Sequence, residues 1–301
     1  MIQNKIIITA NVDLNLVDGC VIWLSNLINT LGQKSIYVDY LNVYPMKNEN
    51  FIRNIIEKKY LKIIDFDNVE DVIEYINIEY ILDKTIDKII VRSDKLIGLI
   101  NNNYLPLEKM VVYGLDQFIN NIKKLDNNFL ELWTQSIKLQ NFFISKGINK
   151  DKIKITPPIC WKYSFSELKK KNDKFITIIY AGTIRDEENI IEIINEFKIM
   201  SQTTNIILKI VYGKIHGDKN FTNKIKNIID ENNPKIIFMN NLSHYDSCYQ
   251  IATSDIGICW RKNGWGTNGE ISTKMLEYNK YGLIICDNIE SLKTLISNLT
   301  T

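Results

Sequence analysis

The sequence predicts an α/β protein built of two consecutive Rossmann-like domains. Short apolar runs rich in Ile and Val alternate along the chain with longer segments of helical period. This alternation is typical of βαβ units, whose parallel sheets are covered by helices on both faces. A length of 301 residues suits two domains of about 150 residues each. A polar, basic stretch in the middle of the chain separates the two series of units.

The first half of the chain predicts strands and helices in alternation. An unbroken apolar run over residues 5–10 predicts a buried strand, and apolar residues on one side of 19–31 predict a helix. A helix is predicted over 137–148, stopping at Gly147, and a strand over 152–158, ending in a Pro-Pro pair. Further short apolar runs predict strands over residues 34–40, 62–65, 88–92, 110–113 and 132–135.

The second half restarts with a strand over 175–180 that runs directly into the turn Ala181-Gly182-Thr183. Residues 161–174 contain many charges and few apolar anchors, which is typical of a linker. We therefore predict an N-terminal domain over 1–160 and a C-terminal domain over 175–301. Within the latter, helices are predicted over 187–200, 221–232, 243–252 and 273–280, and strands over 205–212, 235–239, 256–260 and 283–286.

Composition excludes several classes of protein. A formal net charge of +2 gives no basic face of the kind that binds nucleic acid. No apolar run approaches the length of a membrane span, although peripheral membrane contact stays open. The cysteines form no CxxC pair, which argues against a zinc site or a disulfide framework; they are Cys20, Cys160, Cys248, Cys259 and Cys286. A reduced setting is therefore expected, which means the cytoplasm, either free or at the inner face of the membrane.

The most informative segment lies between Asp255 and Cys286, where a strand leads through a Gly-rich loop into a helix. A helix N-terminus exposes unpaired N–H groups and the positive end of the helix dipole, so it can bind a diphosphate. Ser272 or Thr273 is predicted to cap this helix. Glu277, one turn into the helix, carries a carboxylate that can accept hydrogen bonds from the two hydroxyls of a ribose.

This segment resembles the C-terminal donor motif of GT-B glycosyltransferases, above all the large retaining family four. In that family one Glu contacts the donor sugar and a second Glu, on the helix, contacts the ribose. The resemblance implies these roles for Glu270 and Glu277. A subtype pattern, S-T-K-x-x-E-Y, is matched by Ser272, Thr273, Lys274, Glu277 and Tyr278. The resemblance implies two Rossmann-like domains that face each other across a cleft, with the donor site in the C-terminal domain.

Other matches extend over most of the chain. Residues 180–185 resemble the first strand and turn of the family's C-terminal domain, and residues 155–158 resemble the strand that closes its N-terminal domain. Asp18 and Gly19 resemble the loop that faces donor phosphate or acceptor. The chain ends soon after the last motif strand, so we expect a C-terminal domain that is truncated at its end. The sequence would then be either a piece of a longer protein or a short form of the family.

The motif also departs from the family pattern. Six residues separate Glu270 from Glu277, where the family has seven. Thr183 and Glu188 stand where the family has an Arg and a Lys that hold the diphosphate, which leaves Arg185 as the nearest basic residue. Further basic residues on loops expected at the carboxyl ends of strands are Lys214, Lys219, Arg261 and Lys262.

The resemblance implies a glycosyltransferase of polysaccharide or cell-envelope synthesis. It would move a sugar from a nucleoside diphosphate sugar to a glycan, lipid-linked or protein acceptor, with retention and with no metal or other cofactor. The expected catalytic residues are Glu270, Arg185 and Lys219. The expected donor-binding residues are Gly182, Thr183, Arg261, Gly269, Ile271, Ser272, Thr273, Lys274 and Glu277. The expected acceptor or cleft residues are Asp13, Asp18 and Gly19.

Two alternatives in other classes stay open. A non-catalytic module that binds a sugar or nucleotide would explain the altered spacing and the missing basic residues, and a GT-B sugar-nucleotide epimerase would use the same donor site. Plainer interpretations also apply to single residues. Lys274 could form an ordinary surface pair with Glu270 or Glu277, His244 could be structural, and Trp23 could serve packing alone.

Overall fold

The computed structural model describes residues 4–15, 19–100, 106–160, 163–165, 175–261 and 271–300. The chain forms two compact units, each with its own parallel sheet. The described part of the first unit comprises residues 4–15, 23–100, 106–159 and 271. The described part of the second comprises residues 19–22, 160, 163–165, 175–261 and 272–300. The predicted linker, 161–174, lies outside the described residues except for 163–165.

The first sheet has seven strands in the order β3-β2-β1-β4-β5-β6-β7. All the neighbouring pairs are parallel, as the predicted βαβ units require. Its strands are β1 Lys5–Ala10, β2 Tyr37–Asn42, β3 Leu61–Asp65, β4 Ile86–Arg92, β5 Met110–Tyr113, β6 Glu131–Thr134 and β7 Ile153–Ile155. The helices are α1 Gly19–Gln33, α2 Asn50–Arg53, α3 Val69–Leu82, α4 Asp94–Ile100, α5 Ile119–Lys124 and α6 Ile137–Ser145.

Burial on both faces explains why β1 is an unbroken apolar run. Ile7 and Ile8 point to opposite faces of the sheet, and both are 0% exposed. The neighbouring strand β2 is less apolar, because it buries Asp39 beside Lys5 and Asn42 beside Asp65. Because of these polar residues, the strand predicted over 34–40 begins and ends before the observed strand, Tyr37–Asn42. The strand predicted over 152–158 is also shorter than expected and ends at Ile155, before the proline pair.

The second sheet has five strands in the order β12-β10-β8-β13-β14, again all parallel, and the predicted α/β class is confirmed. Two further short strands, β9 and β11, pair with each other. The strands are β8 Ile176–Ala181, β9 Ile184–Arg185, β10 Ile206–Tyr212, β11 Ile215–His216, β12 Ile236–Asn240, β13 Ile256–Ile258 and β14 Ile284–Cys286. The helices are α7 Ile190–Met200, α8 Lys219–Asp230, α9 His244–Ala252, α10 Thr273–Tyr281 and α11 Ile289–Thr300.

Two apolar clusters cover the two faces of the second sheet. Ile178 and Tyr180 belong to one cluster, whereas Ile179 and Ala181 belong to the other, as the alternation of a strand requires. The second cluster includes Tyr278 of α10, which is fully buried. None of the helices in the described part of the chain is both long and apolar enough to cross a membrane.

Each sheet has one point at which the strand order reverses. In the first sheet the chain runs outward from β1 through β2 and β3, and then returns to β4 on the other side of β1. In the second sheet it runs from β8 through β10 and β12 and returns to β13. Ligands of open α/β sheets bind at the carboxyl ends of the strands that flank such a reversal. The relevant ends are those of β1 and β4, and of β8 and β13.

Replacing Gly257 of β13 with Ala should lower stability substantially. A Cβ atom at this position would lie 2.4 Å from Cδ2 of the buried Tyr278 ring, so the core must shift to admit it. Overpacking of this kind costs about 1–3 kcal/mol, measurable as a lower urea midpoint. Gly98→Ala in α4 is the control, because its nearest neighbour is the side-chain amide of Asn121 at 3.2 Å. Equal midpoints for the two variants would contradict the prediction.

Candidate functional site

A glycine turn follows β8, at the reversal of the second sheet. Gly182 has a φ of 149°, a backbone conformation that residues with a side chain rarely adopt. Its N–H donates to the Val211 carbonyl at 2.9 Å. The next residue, Thr183, is half-buried and leads into β9. The turn therefore presents backbone at the carboxyl end of β8, where the sequence predicts the donor diphosphate.

The N-terminus of α10 is capped as predicted. The Ser272 hydroxyl accepts a hydrogen bond from the Met275 N–H at 3.4 Å, which confirms Ser272 rather than Thr273 as the cap. Ser272 is buried, and Cys259, which follows β13, places its Sγ 3.4 Å from the Ser272 hydroxyl. The preceding residue, Ile271, is half-buried. The first turn of α10 is thus fixed beside the end of β13.

Lys274 forms a buried ion pair with Glu188. Their side chains are 10% and 5% exposed, so Lys274 does not lie on the surface, as the ordinary surface pair that the sequence allowed would require. Glu270, one of the two partners allowed there, lies outside the described residues. Sequence reasoning identified Glu188 only as an acidic residue in a position where the family has a Lys. The structure shows that its carboxylate binds the ammonium group of Lys274, 86 residues further along the chain. The structure thus places a lysine from α10 beside residue 188.

This ion pair lies directly against the glycine turn. The Lys274 ammonium is 4.1 Å from the centroid of the Tyr180 ring, and a Cβ atom at Gly182 would come within 2.8 Å of Lys274 Cε. The Tyr180 hydroxyl lies 2.5 Å from the Thr183 carbonyl oxygen and 2.8 Å from the Glu188 carboxylate. Burial and the charge of Glu188 raise the pKa of Tyr180 well above its ordinary value, so the hydroxyl stays a donor.

Tyr278 connects α10 to the same turn. Its hydroxyl accepts the Ala181 N–H at 2.9 Å, and burial raises its pKa well above the ordinary value. Ala181 is the last residue of β8 and the neighbour of Gly182. The S-T-K-x-x-E-Y pattern therefore places Ser272 as the cap, Lys274 against the glycine turn and Tyr278 against the end of β8.

Glu277 is buried and hydrogen-bonded to His244, the first residue of α9. The distance between Glu277 Oε1 and His244 Nε2 is 2.6 Å, and the two side chains are 6% and 1% exposed. The other ring nitrogen of His244, Nδ1, lies 3.1 Å from the Tyr163 hydroxyl, so both ring nitrogens have polar neighbours. The sequence predicts Glu277 as a ribose-binding residue and gives no sign of its pairing with His244.

Cys248 completes a group of three metal-ligand types with His244 and Glu277. Their nearest ligand atoms all lie within 4.8 Å of one another. Two atoms bound to one zinc ion at about 2.0 Å would lie roughly 3.2 Å apart. The His244 and Glu277 atoms are closer than that, so the arrangement is that of a hydrogen-bonded cluster. Burial and the charge of Glu277 raise the pKa of the Cys248 thiol well above its ordinary value.

The remaining predicted residues lie in different places. Arg185 is half-buried in β9, and Arg261 is half-buried three residues after β13 ends. Lys219 is exposed and begins α8, so its predicted position on a loop is wrong. Asp13 accepts hydrogen bonds from the Asn15 N–H and side chain. Gly19 is the first residue of α1, and Thr273 is the first residue of α10. Three predicted site residues lie outside the described residues: Asp18, Gly269 and Glu270.

Comparison with solved structures gives clear matches, whereas comparison with family models and with curated proteins gives none. HepE of Anabaena, in complex with UDP-glucose, has a TM-score of 0.68 and 9% identity, covering 98% of this chain and 89% of its own. A glycosyltransferase from Rickettsia africae has a TM-score of 0.61 and 13% identity, with coverages of 94% and 78%.

A third structure, MnaA of S. aureus with UDP, has a TM-score of 0.59 and 13% identity, with coverages of 94% and 78%. At these identities the similarity concerns the fold, and a shared fold hosts more than one chemistry. The matches show that the chain has the fold of these proteins and confirm the predicted GT-B class.

Proposed function

We propose that this protein is a nucleotide-sugar-dependent glycosyltransferase. It moves a sugar from a nucleoside diphosphate sugar to a glycan, lipid-linked or protein acceptor, with retention of configuration and without a metal ion. The cytoplasm or the inner face of a membrane is the compartment we propose for it, in the synthesis of a cell-envelope polysaccharide. The donor site is the carboxyl edge of β8 and β13, with the first two turns of α10.

One observation carries this proposal. The capped N-terminus of α10 meets the Gly182 turn at the strand-order reversal, with Lys274 in contact with the turn. Three groups here favour binding of a diphosphate: the N-terminus of a helix, the backbone of the glycine turn and a lysine ammonium group. The structural neighbours support the choice of ligand, because HepE is in complex with UDP-glucose and MnaA with UDP.

The arrangement also suits the chemistry of sugar transfer. A leaving diphosphate develops negative charge, which preorganised N–H groups and a cation stabilise in a site that excludes water. Lys274 supplies the cation, and Glu188 holds it in place within the buried cluster. In a retaining transfer the leaving diphosphate assists deprotonation of the acceptor, so the protein contributes orientation and charge rather than a base.

A thermal-shift screen against UDP, GDP, ADP and CMP tests donor binding. We expect one nucleoside diphosphate to raise the melting temperature in a concentration-dependent manner, because a ligand that binds only the folded state stabilises it. The matching nucleotide sugars, incubated with a panel of glycans, should then release the diphosphate. Binding without release for every acceptor would favour a non-catalytic module. Conversion of the nucleotide sugar without any acceptor would favour an epimerase.

A further inference from the structure

Two loops of the first unit are joined at the carboxyl ends of β1 and β2. The Asn15 side chain donates to the Pro45 carbonyl at 3.0 Å, and its oxygen accepts the Lys47 N–H. The Asn48 side chain donates to the Asn15 carbonyl at 3.1 Å. β1 flanks the strand-order reversal of the first sheet, and open α/β sheets bind ligands at the carboxyl edge there. These hydrogen bonds therefore give a fixed shape to a surface at a ligand-binding position.

Tyr44 is held on this surface by a buried amide. Asn42, the last residue of β2, is 0% exposed; its side chain donates to the Tyr44 carbonyl at 2.6 Å and accepts the Tyr44 N–H at 3.3 Å. The same amide donates to Asp65 at 2.6 Å, so hydrogen bonds compensate for its burial. Tyr44 itself is 40% exposed. A fully buried polar side chain thus fixes the backbone of an exposed aromatic residue.

The hydroxyl group of Tyr44 reaches the loop that follows β1. It donates to the Asn11 side-chain oxygen at 2.6 Å, which fixes the plane of that amide and the direction of its N–H donors. Asp13 accepts the Asn15 N–H at 3.0 Å and the Asn15 side chain at 2.8 Å. A carboxylate has about four acceptor positions, so Asp13 has capacity beyond these two bonds. An aromatic ring, an amide and a carboxylate are thereby held in one hydrogen-bonded surface.

This combination suits a neutral sugar ring. One face of a pyranose carries C–H groups that pack on an aromatic ring, and the hydroxyls at its edge both donate and accept hydrogen bonds. A tyrosine held at its backbone and at its hydroxyl loses little conformational freedom when a sugar packs on it, which favours binding. The Asp13 carboxylate accepts from sugar hydroxyls but repels a phosphate or a second carboxylate, so the surface favours a neutral sugar over an anionic one.

We propose that Tyr44, together with Asn11 and Asp13, binds a neutral sugar ring of the acceptor, so that the acceptor is a neutral glycan. The inference rests on the proposed glycosyltransferase function for the role of that glycan, but the sugar-binding surface itself belongs to the first unit. Sequence reasoning predicted Asp13 as an acceptor residue and missed Asn11 and Tyr44. An aromatic residue directly before a proline, just after a strand, was the available signal.

An array of immobilised oligosaccharides, probed with the full chain, tests the proposal. It should carry neutral glycans of glucose, galactose, mannose and N-acetylglucosamine, each beside a counterpart that ends in glucuronate. We expect at least one neutral glycan to bind, and to bind more tightly than its acidic counterpart. Titration with that glycan should show Tyr44→Ala weakening the affinity about tenfold or more, because the sugar loses the apolar surface on which it packs.

Three further variants make the comparison specific. Tyr44→Phe keeps the ring and should retain most of the affinity. Asn11→Ala leaves the ring in place and removes the amide, so it should weaken binding to a smaller degree and tests the proposal even if Tyr44→Ala is unstable. Tyr37→Ala is the matched control, since Tyr37 is 38% exposed and begins β2, at the opposite end of the same strand. It should bind the glycan as the wild type does.

The possible outcomes separate the sugar site from the proposed function. Wild-type affinity in both Tyr44→Ala and Asn11→Ala would overturn the proposal, as would a wild type that binds none of the neutral glycans or prefers the acidic ones. UDP affinity should be unchanged in Tyr44→Ala, and a fall would assign the tyrosine to the donor instead. Sugar binding through Tyr44 without any nucleotide binding would keep the sugar site but refute the proposed function.

Discussion

Replacing Lys274 with Met should lower the free energy of unfolding by about 3–5 kcal/mol, because it leaves the buried Glu188 carboxylate without its counter-charge. Both side chains are at most 10% exposed, so water cannot take the place of the ammonium group. The Tyr180 hydroxyl still contacts Glu188 at 2.8 Å but carries no charge. Urea unfolding monitored by circular dichroism measures the loss as a lower midpoint.

The matched control is an exposed ion pair. Lys95 and Glu70 lie 3.9 Å apart and are 63% and 59% exposed, so Lys95→Met should cost less than about 1 kcal/mol. The double variant Lys274→Met with Glu188→Leu removes both buried charges and should regain most of the lost stability. A double variant no more stable than Lys274→Met alone would refute the assignment of the loss to an unpaired buried charge.

The same double variant separates structure from binding. It removes the lysine while keeping the cluster neutral, so its UDP affinity reports on Lys274 without the effects of unfolding. If Lys274 contacts the diphosphate, affinity should fall about tenfold or more, since the contact is charge-assisted. UDP affinity equal to that of the wild type would limit Lys274 to a structural role beneath the Gly182 turn.

Hydrophobic pattern predicted the strands of this protein where both faces are apolar and misplaced them where polar groups are buried. The strand over 5–10 was predicted with its observed bounds because Ile6, Ile7 and Ile8 are all buried. The next strand was shifted because Asn42 is fully buried yet polar, and its side chain donates to Asp65 at 2.6 Å. That partner belongs to the neighbouring strand β3, so the local sequence contains no sign of it.

The candidate site shows the same division between local and distant information. The cap at Ser272 was predictable, because capping depends on residues within one turn. The pairing of Lys274 with Glu188 was not, because it joins residues 86 positions apart whose proximity depends on how β8 and α10 pack. His244 was identified only as a structural residue at the start of a helix, and its bond to Glu277 again requires the tertiary fold.

Glu277→Ala should abolish the preference of the protein for a ribonucleotide over its 2′-deoxy form. A carboxylate that accepts from the ribose hydroxyls gains charge-assisted hydrogen bonds of about 1.5–3 kcal/mol, which corresponds to roughly a tenfold to hundredfold affinity. Glu277 Oε1 is already engaged by His244, which fixes the orientation of the carboxylate and leaves Oε2 as the oxygen that would face the ribose. The wild type is therefore expected to bind UDP about tenfold or more tightly than 2′-deoxy-UDP.

The ratio of the two affinities is informative even if the variant is less stable, because both ligands meet the same folded protein. Removing Glu277 also removes the carboxylate oxygen that lies 2.6 Å from Nε2 of the buried His244, so some loss of stability is expected in addition. Glu277→Gln keeps the size of the side chain and an oxygen for His244, and should retain more stability while still losing most of the preference. A preference for UDP that survives in both variants would show that the carboxylate serves only the cluster with His244 and Cys248, and that the ribose is recognised elsewhere.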